Sequence, residues 1–143
     1  MKHTLVILLL FFISSMINAQ TVMGKWKTID DETGKEKSIV EIYEESGKVY
    51  GKVIQLFREP QEEQNPICDK CEDDRKNQLV LGMQILREMQ LKDGYYQAGT
   101  ICDPKNGKVY KCEFWLDGND KNKLQVRGYW GFFYRTQTWQ RVF

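Results

Sequence analysis

The sequence predicts an all-β fold, a single antiparallel up-and-down barrel of about eight strands. Beyond residue 19, most segments alternate apolar and polar residues with a period of two, which is typical of strands. Short clusters of Asp, Asn, Ser, Gly and Lys separate these segments and fit hairpin turns. Eight sequential strands with mostly short connections favour a closed barrel, because closure removes the exposed edges of a sheet.

Eight segments have strand character, and one long segment interrupts them. Residues 58–78 contain two prolines, many charges and a Cys-x-x-Cys, and therefore predict a long loop over one end of the fold. Residues 79–90 fit the spacing of a helix and of a buried strand about equally well, and we assign a strand because the neighbouring segments are strands. The predicted strands are residues 23–29, 38–43, 48–57, 79–90, 95–102, 108–116, 123–129 and 134–143.

The segment 108–116 shows the alternation most clearly. Tyr110, Cys112 and Phe114 share one face, whereas Lys111 and Glu113 lie on the other. Aromatic residues make up 13% of the chain, and rings at this density should crowd an eight-stranded interior. We therefore expect a small or partly filled cavity.

The first 19 residues resemble a secretory signal peptide. Lys2 supplies a positive start, residues 5–13 form an apolar run, and Ala19 is a suitable residue before the cleavage point. The apolar run is too short for a permanent membrane span. We therefore expect an exported protein, periplasmic or secreted, with residues 20–143 as one domain and no membrane span after cleavage.

Charge and histidine content exclude several classes of function. The chain has 21 Lys and Arg against 20 Asp and Glu, and loss of Lys2 with the signal peptide leaves equal numbers. This balance argues against nucleic-acid binding, which requires a basic excess. The one histidine, His3, also lies in the signal segment, so the remaining chain has no Ser-His-Asp or Cys-His pair and no histidine metal ligand. We predict no catalytic residues, no metal and no cofactor, and hence a protein that is not an enzyme.

The four cysteines support more than one interpretation. Cys68 and Cys71 fit a disulfide within the loop better than a redox site, because acidic neighbours raise a thiol pKa, and better than a zinc site, because a second close pair is missing. Cys102 and Cys112 flank the turn at residues 103–107. They can bond if they face each other across the hairpin; otherwise Cys112 is a buried apolar residue.

An acidic turn offers a possible cation site. Asp30, Asp31 and Glu32 carry oxygen ligands suited to a hard cation. We favour a solvated hairpin turn that pivots at Gly34.

The last two strands carry arginines and a dense group of aromatic residues. If two of Arg127, Arg135 and Arg141 point inward, they can hold an anionic head group; the alternative is that they face outward or pack on rings. Residues 128–134 contain five aromatic rings. We expect these rings in the core, the alternative being an exposed interaction patch at the barrel mouth.

Several short motifs resemble a bacterial secreted family, domain of unknown function 2147. They are Gly24-Lys25-Trp26, Cys68-x-x-Cys71, Asp103-Pro104, Gly107-Lys108-x-Tyr110, Arg127-Gly128-Tyr129 and the sequence RTQTWQR at 135–141. More loosely, the chain is similar to lipocalins, in which a Trp near the start closes one barrel end and an Arg from the last strand packs over its ring. The resemblance implies that Trp26 pairs with Arg141, or less favourably with Arg135, in a structural role.

Two functions remain open from the sequence. We expect a small-ligand-binding barrel for an amphipathic or anionic molecule, with Tyr110, Phe114, Arg127 and Tyr129 lining the site. The alternative is an envelope structural or protein-interaction domain with a filled barrel, which uses residues 58–78 or 128–134 as its contact surface. The size of the interior cavity distinguishes the two.

Overall fold

A computed structural model describes residues 20–143 of the protein. The predicted signal peptide at residues 1–19 lies outside the described residues. The described chain forms a closed barrel in which each strand pairs antiparallel with the next and the last strand pairs with the first. The strands are β1 (Gly24–Ile29), β2 (Glu36–Glu45), β3 (Lys48–Leu56), β4 (Gln84–Lys92), β5 (Tyr95–Asp103), β6 (Lys108–Leu116), β7 (Lys123–Trp130) and β8 (Phe133–Val142).

The up-and-down topology gives the barrel two different ends. The chain before β1 and the turns β2–β3, β4–β5 and β6–β7 lie at one end, which we call the closed end. The turns β1–β2, β5–β6 and β7–β8 and the long β3–β4 connection lie at the other, which we call the open end. Side chains that alternate inward along the strands form the core, and its largest fully buried members include Trp26, Trp139, Phe114, Leu86 and Met89.

Gly51 on β3 allows two strands of the core to pack closely. A Cβ atom at this position would lie 2.8 Å from Cδ1 of Leu86 and 3.1 Å from Cγ1 of Val40. The pairing of β3 with β4 shifts register on both sides of Gly51. Gly51 is therefore a point of close approach between strands and of irregular pairing.

The assignment of residues 79–90 as one strand was wrong at its start. Strand β4 begins at Gln84, and the preceding residues belong to the long connection. The amide of Val80 donates to the carbonyl of Pro66, and the amide of Gly82 donates to that of Val53. Val80 and Met83 are buried, so the apolar spacing of this segment reflects loop packing as well as strand pairing.

The long connection forms a compact unit that lies against the β5–β6 turn, since a Cβ atom on Gly107 would collide with the carbonyl oxygen of Lys70. The amide of Cys68 donates to the carbonyl of Gln78 at 2.9 Å, and the amide of Asn77 donates to the carbonyl of Cys68 at 2.8 Å. Arg75 is 4% exposed; its Nε and Nη2 bond to the Asp73 carboxylate, and its Nη1 donates to the Gln84 carbonyl. These contacts hold the segment close to the barrel.

Candidate functional site

Trp26 and Arg141 cover the closed end of the barrel. The guanidinium carbon of Arg141 lies 4.3 Å from the centre of the Trp26 ring, and the two residues are direct partners in the pairing of β1 with β8. The indole Nε1 donates to the carbonyl of Val22 at 2.8 Å. Nη2 of Arg141 donates to the carbonyls of Thr21 and Lys121, at 2.8 and 3.1 Å. These bonds join the chain before β1 to the β6–β7 turn, so this end is closed by the protein itself.

Above this closure, the interior is filled by side chains. Phe114 is fully buried and stacks on Tyr96, with ring centres 5.0 Å apart. Leu124, Trp139 and Val40 are also at most 1% exposed. A small ligand would therefore have to bind nearer the open end.

Inward-facing residues near the open end are accessible to solvent. Gly128 faces inward, because a Cβ atom on it would lie 3.8 Å from both Ile101 and Tyr110. Arg135 is the pairing partner of Gly128, so its side chain emerges on the same face. Ile101, Tyr110 and Gly128 are only partly buried, in contrast with the interior at the closed end.

These inward positions form what we call the open cup. Its aromatic members are in contact. The ring centres of Tyr110 and Trp130 lie 6.2 Å apart, and those of Trp130 and Phe133 lie 6.5 Å apart. Trp130 and Phe133 are 47% and 67% exposed. The cup consists of Ile101, Tyr110, Trp130, Phe133, Arg135 and Gln137.

A polar group lies on one side of the open cup. Nε and Nη2 of Arg135 donate to Oδ2 of Asp31 at 2.8 and 2.5 Å. Nε2 of Gln137 donates to the same oxygen at 3.0 Å. Asp31 belongs to the β1–β2 turn, so this turn is joined to the cup through one carboxylate.

The acidic residues of the β1–β2 turn have separate partners. Oδ1 of Asp30 accepts hydrogen bonds from the amides of Glu32 and Thr33 and from the Thr33 hydroxyl, at 3.0, 2.8 and 3.0 Å. The bonds from Thr33 lower the pKa of Asp30 below its ordinary value. Asp31 instead bonds to Arg135. Within residues 20–143, no cluster of Cys, Asp and Glu is arranged to hold a metal ion.

The four predicted lining residues do not line one common site. Two of them point into the barrel at different depths, and the other two point outward. Phe114 belongs to the filled interior, and Tyr110 belongs to the cup. Arg127 and Tyr129 alternate with the inward Val126 and Gly128, so they point outward.

Outside the barrel, Arg127 is held by aromatic and polar neighbours. Its guanidinium carbon lies 4.2 Å from the ring centre of Tyr134 and 5.0 Å from that of Trp115. Its Nε donates to Thr136 Oγ1 at 2.8 Å, and the Tyr129 hydroxyl donates to Glu113 at 3.2 Å. Arg127 and Arg141 therefore both pack on aromatic rings, Arg127 on the outer face and Arg141 inward at the closed end. Arg135 points inward at the open end.

The sequence reasoning did not select Gln137 or the combination of Arg135 with Asp31. The position of Gln137, two residues before Trp139, indicates that both side chains point inward, since residues i and i+2 share one face of a strand. Strand alternation also relates Arg135 to Gln137. Their contact with Asp31 depends on the path of the β1–β2 turn, which alternation does not predict.

The cysteines form one disulfide and leave two free thiols. Cys68 and Cys71 are bonded and buried. Cys102 pairs with Val109 and Cys112 with Gly99, so the two cysteines are not opposite each other, and both are free. The suggested bond between Cys102 and Cys112 is thus excluded by register.

The two free thiols lie on opposite sides of the sheet. Cys112 faces the interior, whereas Cys102 lies beneath the long connection, with its Sγ 3.8 Å from Sγ of Cys71. Burial raises the pKa of both thiols. Neither environment favours the thiolate needed for nucleophilic chemistry.

The aromatic segment at residues 128–134 is largely exposed, contrary to the expectation that it is core. Phe132 is fully exposed at the β7–β8 turn, and Phe133 and Tyr134 are 67% and 58% exposed. The reason is that the segment spans the tip of the β7–β8 hairpin, where Gly131 and Phe132 form the turn. Beside it, a surface groove of about 860 Å³ is lined in part by Lys70, Glu72, Lys108, Tyr110, Lys111 and Trp130.

Comparisons with known proteins agree with this architecture. A solved structure described as "Protein HP1028 from the human pathogen Helicobacter pylori belongs to the lipocalin family" matches with a TM-score of 0.71 and 21% sequence identity. The match covers 87% of this chain and 85% of that one. It therefore shows a lipocalin-like fold. No curated protein gave a significant match.

A family model also matches most of the strands described above. The match extends over residues 24–141, from the start of β1 nearly to the end of β8. No helix within residues 20–143 is long and apolar enough to span a membrane. The chain belongs to the bacterial family described as "Uncharacterized protein conserved in bacteria (DUF2147)", and its fold is a lipocalin-like barrel.

Proposed function

We propose that this protein is an exported, non-enzymatic barrel that binds a small amphipathic or anionic molecule in the open cup. One observation carries the proposal: Arg135 and Gln137 point inward beside aromatic rings at the accessible end of the barrel, whereas the other end is filled. A cationic fork next to aromatic surface suits a molecule with an apolar body and a negative head group.

The groove of about 860 Å³ supports the same function. It shares Tyr110 and Trp130 with the cup and continues along the outside of the barrel. Three lysines (Lys70, Lys108 and Lys111) and two acidic residues (Glu72 and Asp73) line the groove, so it carries a small excess of positive charge. A ligand longer than the cup could extend along this surface.

Export is supported by the sequence and by the cysteines. Residues 1–19 have the composition of a signal peptide. The buried Cys68–Cys71 disulfide is compatible with an oxidising compartment.

The groups in the cup are suited to binding rather than to catalysis. The Asp31 carboxylate at the cup accepts hydrogen bonds from Arg135 and Gln137, and guanidinium and amide groups orient a ligand but do not exchange protons readily at neutral pH. The buried Ser38 hydroxyl hydrogen-bonds the Thr28 hydroxyl at 2.7 Å rather than a general base. These features support the assignment as a binding protein.

Native mass spectrometry of the protein purified from its own host tests the proposal. We expect a co-purifying molecule with a mass of roughly a few hundred daltons, which is the mass of a typical pocket ligand. In parallel, the anionic fluorophore 1-anilinonaphthalene-8-sulfonate should bind saturably to the ligand-free protein. The Arg135→Gln variant should bind it more weakly, whereas Arg127→Gln on the outer face should not. A clean mass together with no saturable binding would exclude the proposal.

A second candidate is a protein-interaction domain that uses the β7–β8 hairpin. The exposed rings of Phe132, Phe133 and Tyr134 favour it, because contiguous exposed aromatic surface is typical of contact sites. A photo-crosslinking amino acid placed at Phe132 in the living host would test it, with Lys25 as the control position. A discrete adduct at position 132 alone supports this candidate, and no adduct at either position counts against it.

A further inference from the structure

We propose that Arg135 and Gln137 form a carboxylate-binding site, and that the Asp31 carboxylate competes with the ligand's head group for it. This inference rests on the proposed ligand-binding function and deepens it. Binding of a ligand would exchange one carboxylate for another and release the β1–β2 turn from the open cup. The ligand class would thus be small amphipathic carboxylates.

The donors converge in a manner suited to a carboxylate. Nε and Nη2 of Arg135 and Nε2 of Gln137 all donate to Oδ2 of Asp31, at 2.8, 2.5 and 3.0 Å. Arg135 and Gln137 are two residues apart on β8, so the strand itself holds them on one face. The carboxylate, in contrast, is supplied by a different segment, the β1–β2 turn.

The internal carboxylate can leave at low cost. The Arg135 side chain is 51% exposed and that of Asp31 is 35% exposed. Ion pairs this accessible to water contribute little to stability, because solvent screens them. A ligand carboxylate whose apolar body also covers Tyr110 and Trp130 would gain burial that Asp31 does not have.

The β1–β2 turn does not need Asp31 for its own structure. The amide of Gly34 donates to the carbonyl of Asp30 at 2.7 Å, and the amide of Asp30 donates to the carbonyl of Lys35 at 2.8 Å. The Asp30 carboxylate also holds Thr33. The Asp31 side chain can therefore leave Arg135 without breaking the hydrogen bonds of the turn, and its removal should leave the turn folded.

Calorimetric titration with decanoate and with decanol tests this exchange. In Asp31→Ala, decanoate should bind about three- to fivefold more tightly than in the wild type, as expected for removing a competitor worth up to about 1 kcal/mol. The affinity for decanol, which has no charge, should not change. The matched control is Glu32→Ala, which removes a neighbouring acidic residue of the same turn and should leave both affinities unchanged.

A spectroscopic measurement separates exchange from a general effect of the substitution. The side-chain amide NMR signals of Gln137 should shift in Asp31→Ala and shift again when decanoate is added. The Arg135→Gln variant should lose the preference for decanoate over decanol.

The outcomes distinguish this inference from the proposed function. If wild type and variants bind neither decanoate nor decanol, ligand binding in the cup is itself contradicted. If the wild type binds decanoate and Asp31→Ala gains no affinity, the exchange is overturned while the proposed function stands. An equal gain for decanol would also overturn it, because Asp31 would then act as a steric cover rather than as a substitute anion.

Discussion

The guanidinium of Arg141 lies over the indole of Trp26, 4.3 Å from its ring centre, where the last strand meets the first. The contact joins the first strand of the barrel to the last one. Because Arg141 also donates to the carbonyls of Thr21 and Lys121, it links the pairing of β1 and β8 to the chain segments that cover the closed end. Desolvation lowers the pKa of Arg141 from its ordinary value, as expected for a guanidinium packed in this way.

Replacement of Arg141 by Ala should destabilise the barrel by about 2–4 kcal/mol, since it removes a cation–π contact and charged hydrogen bonds to two backbone carbonyls. Urea unfolding followed by tryptophan fluorescence measures the loss. Arg127→Ala removes an arginine that packs on rings of the outer face, and should cost less than about 1 kcal/mol. Equal losses in the two variants would contradict a special role for Arg141 in closure.

The cysteines should show three distinct reactivities in alkylation mapped by mass spectrometry. Cys68 and Cys71 should react only after reduction, because they are bonded. Cys102 and Cys112 should react without reductant, but only in denaturant, because both thiols are buried and their pKa values are raised. Alkylation of Cys102 in the native protein would contradict the packing of the long connection over β5.

Replacement of Gly107 by Ala should lower stability by about 2–4 kcal/mol, because overpacking and a positive φ both disfavour a side chain. Gly107 has φ 72°, and a Cβ atom there would collide with the carbonyl of Lys70. The variant should also increase protease cleavage within residues 57–83, which contact this turn. Gly118→Ala is the matched control, since a Cβ atom there meets no neighbour. Thermal melting of the two variants compares them directly.

Asp73 should make stability depend on pH in the acid range. The hydrogen bond from Arg75 lowers the pKa of Asp73 to about 2, from an ordinary value of 3.8. Since the folded state has the lower pKa, the stabilisation is fully present above about pH 4 and is lost as the pH falls towards 2. Solvent screens this pair, because the Asp73 side chain is 38% exposed.

The Asp73→Asn variant should therefore be about 1–2 kcal/mol less stable than the wild type at neutral pH. The difference should shrink between pH 4 and pH 2, as measured by urea unfolding at each pH. Glu72→Gln is the control for loss of an acidic charge in the same segment. A difference that stays constant down to pH 2 would show that Asp73 does not act through its charge.

Local patterns were sufficient to predict most of the strands. In residues 108–116, the alternation placed Tyr110, Cys112 and Phe114 on one face, and the structure agrees. The pattern was not sufficient at residues 79–83, where buried Val80 and Met83 belong to the long connection. The spacing of apolar residues indicates which residues are buried. In a short segment it does not distinguish burial in loop packing from burial within a sheet.

The candidate site was only partly predictable for the same reason. Tyr110 lies in the open cup, whereas Arg127 and Tyr129 lie outside, because β7 turns its small and apolar residues inward. The alternation of β7 separates these faces but does not identify which polar residue of β8 approaches a distant turn. Arg135 meets Asp31 because closure of the barrel pairs β1 with β8 and so brings the β1–β2 turn beside β8 at the open end.

The sequence by itself determined the number of strands, their antiparallel order, the position of the long cysteine-containing loop and the family to which the motifs point. These features follow from period-two alternation and turn residues, which act within a few neighbouring positions. Only the tertiary structure decided that Arg135 and Arg141 point inward at opposite ends and that Cys102 and Cys112 are not opposite each other. Those outcomes depend on inter-strand register, barrel closure and loop packing, which bring together residues as far apart in the chain as Asp31 and Arg135.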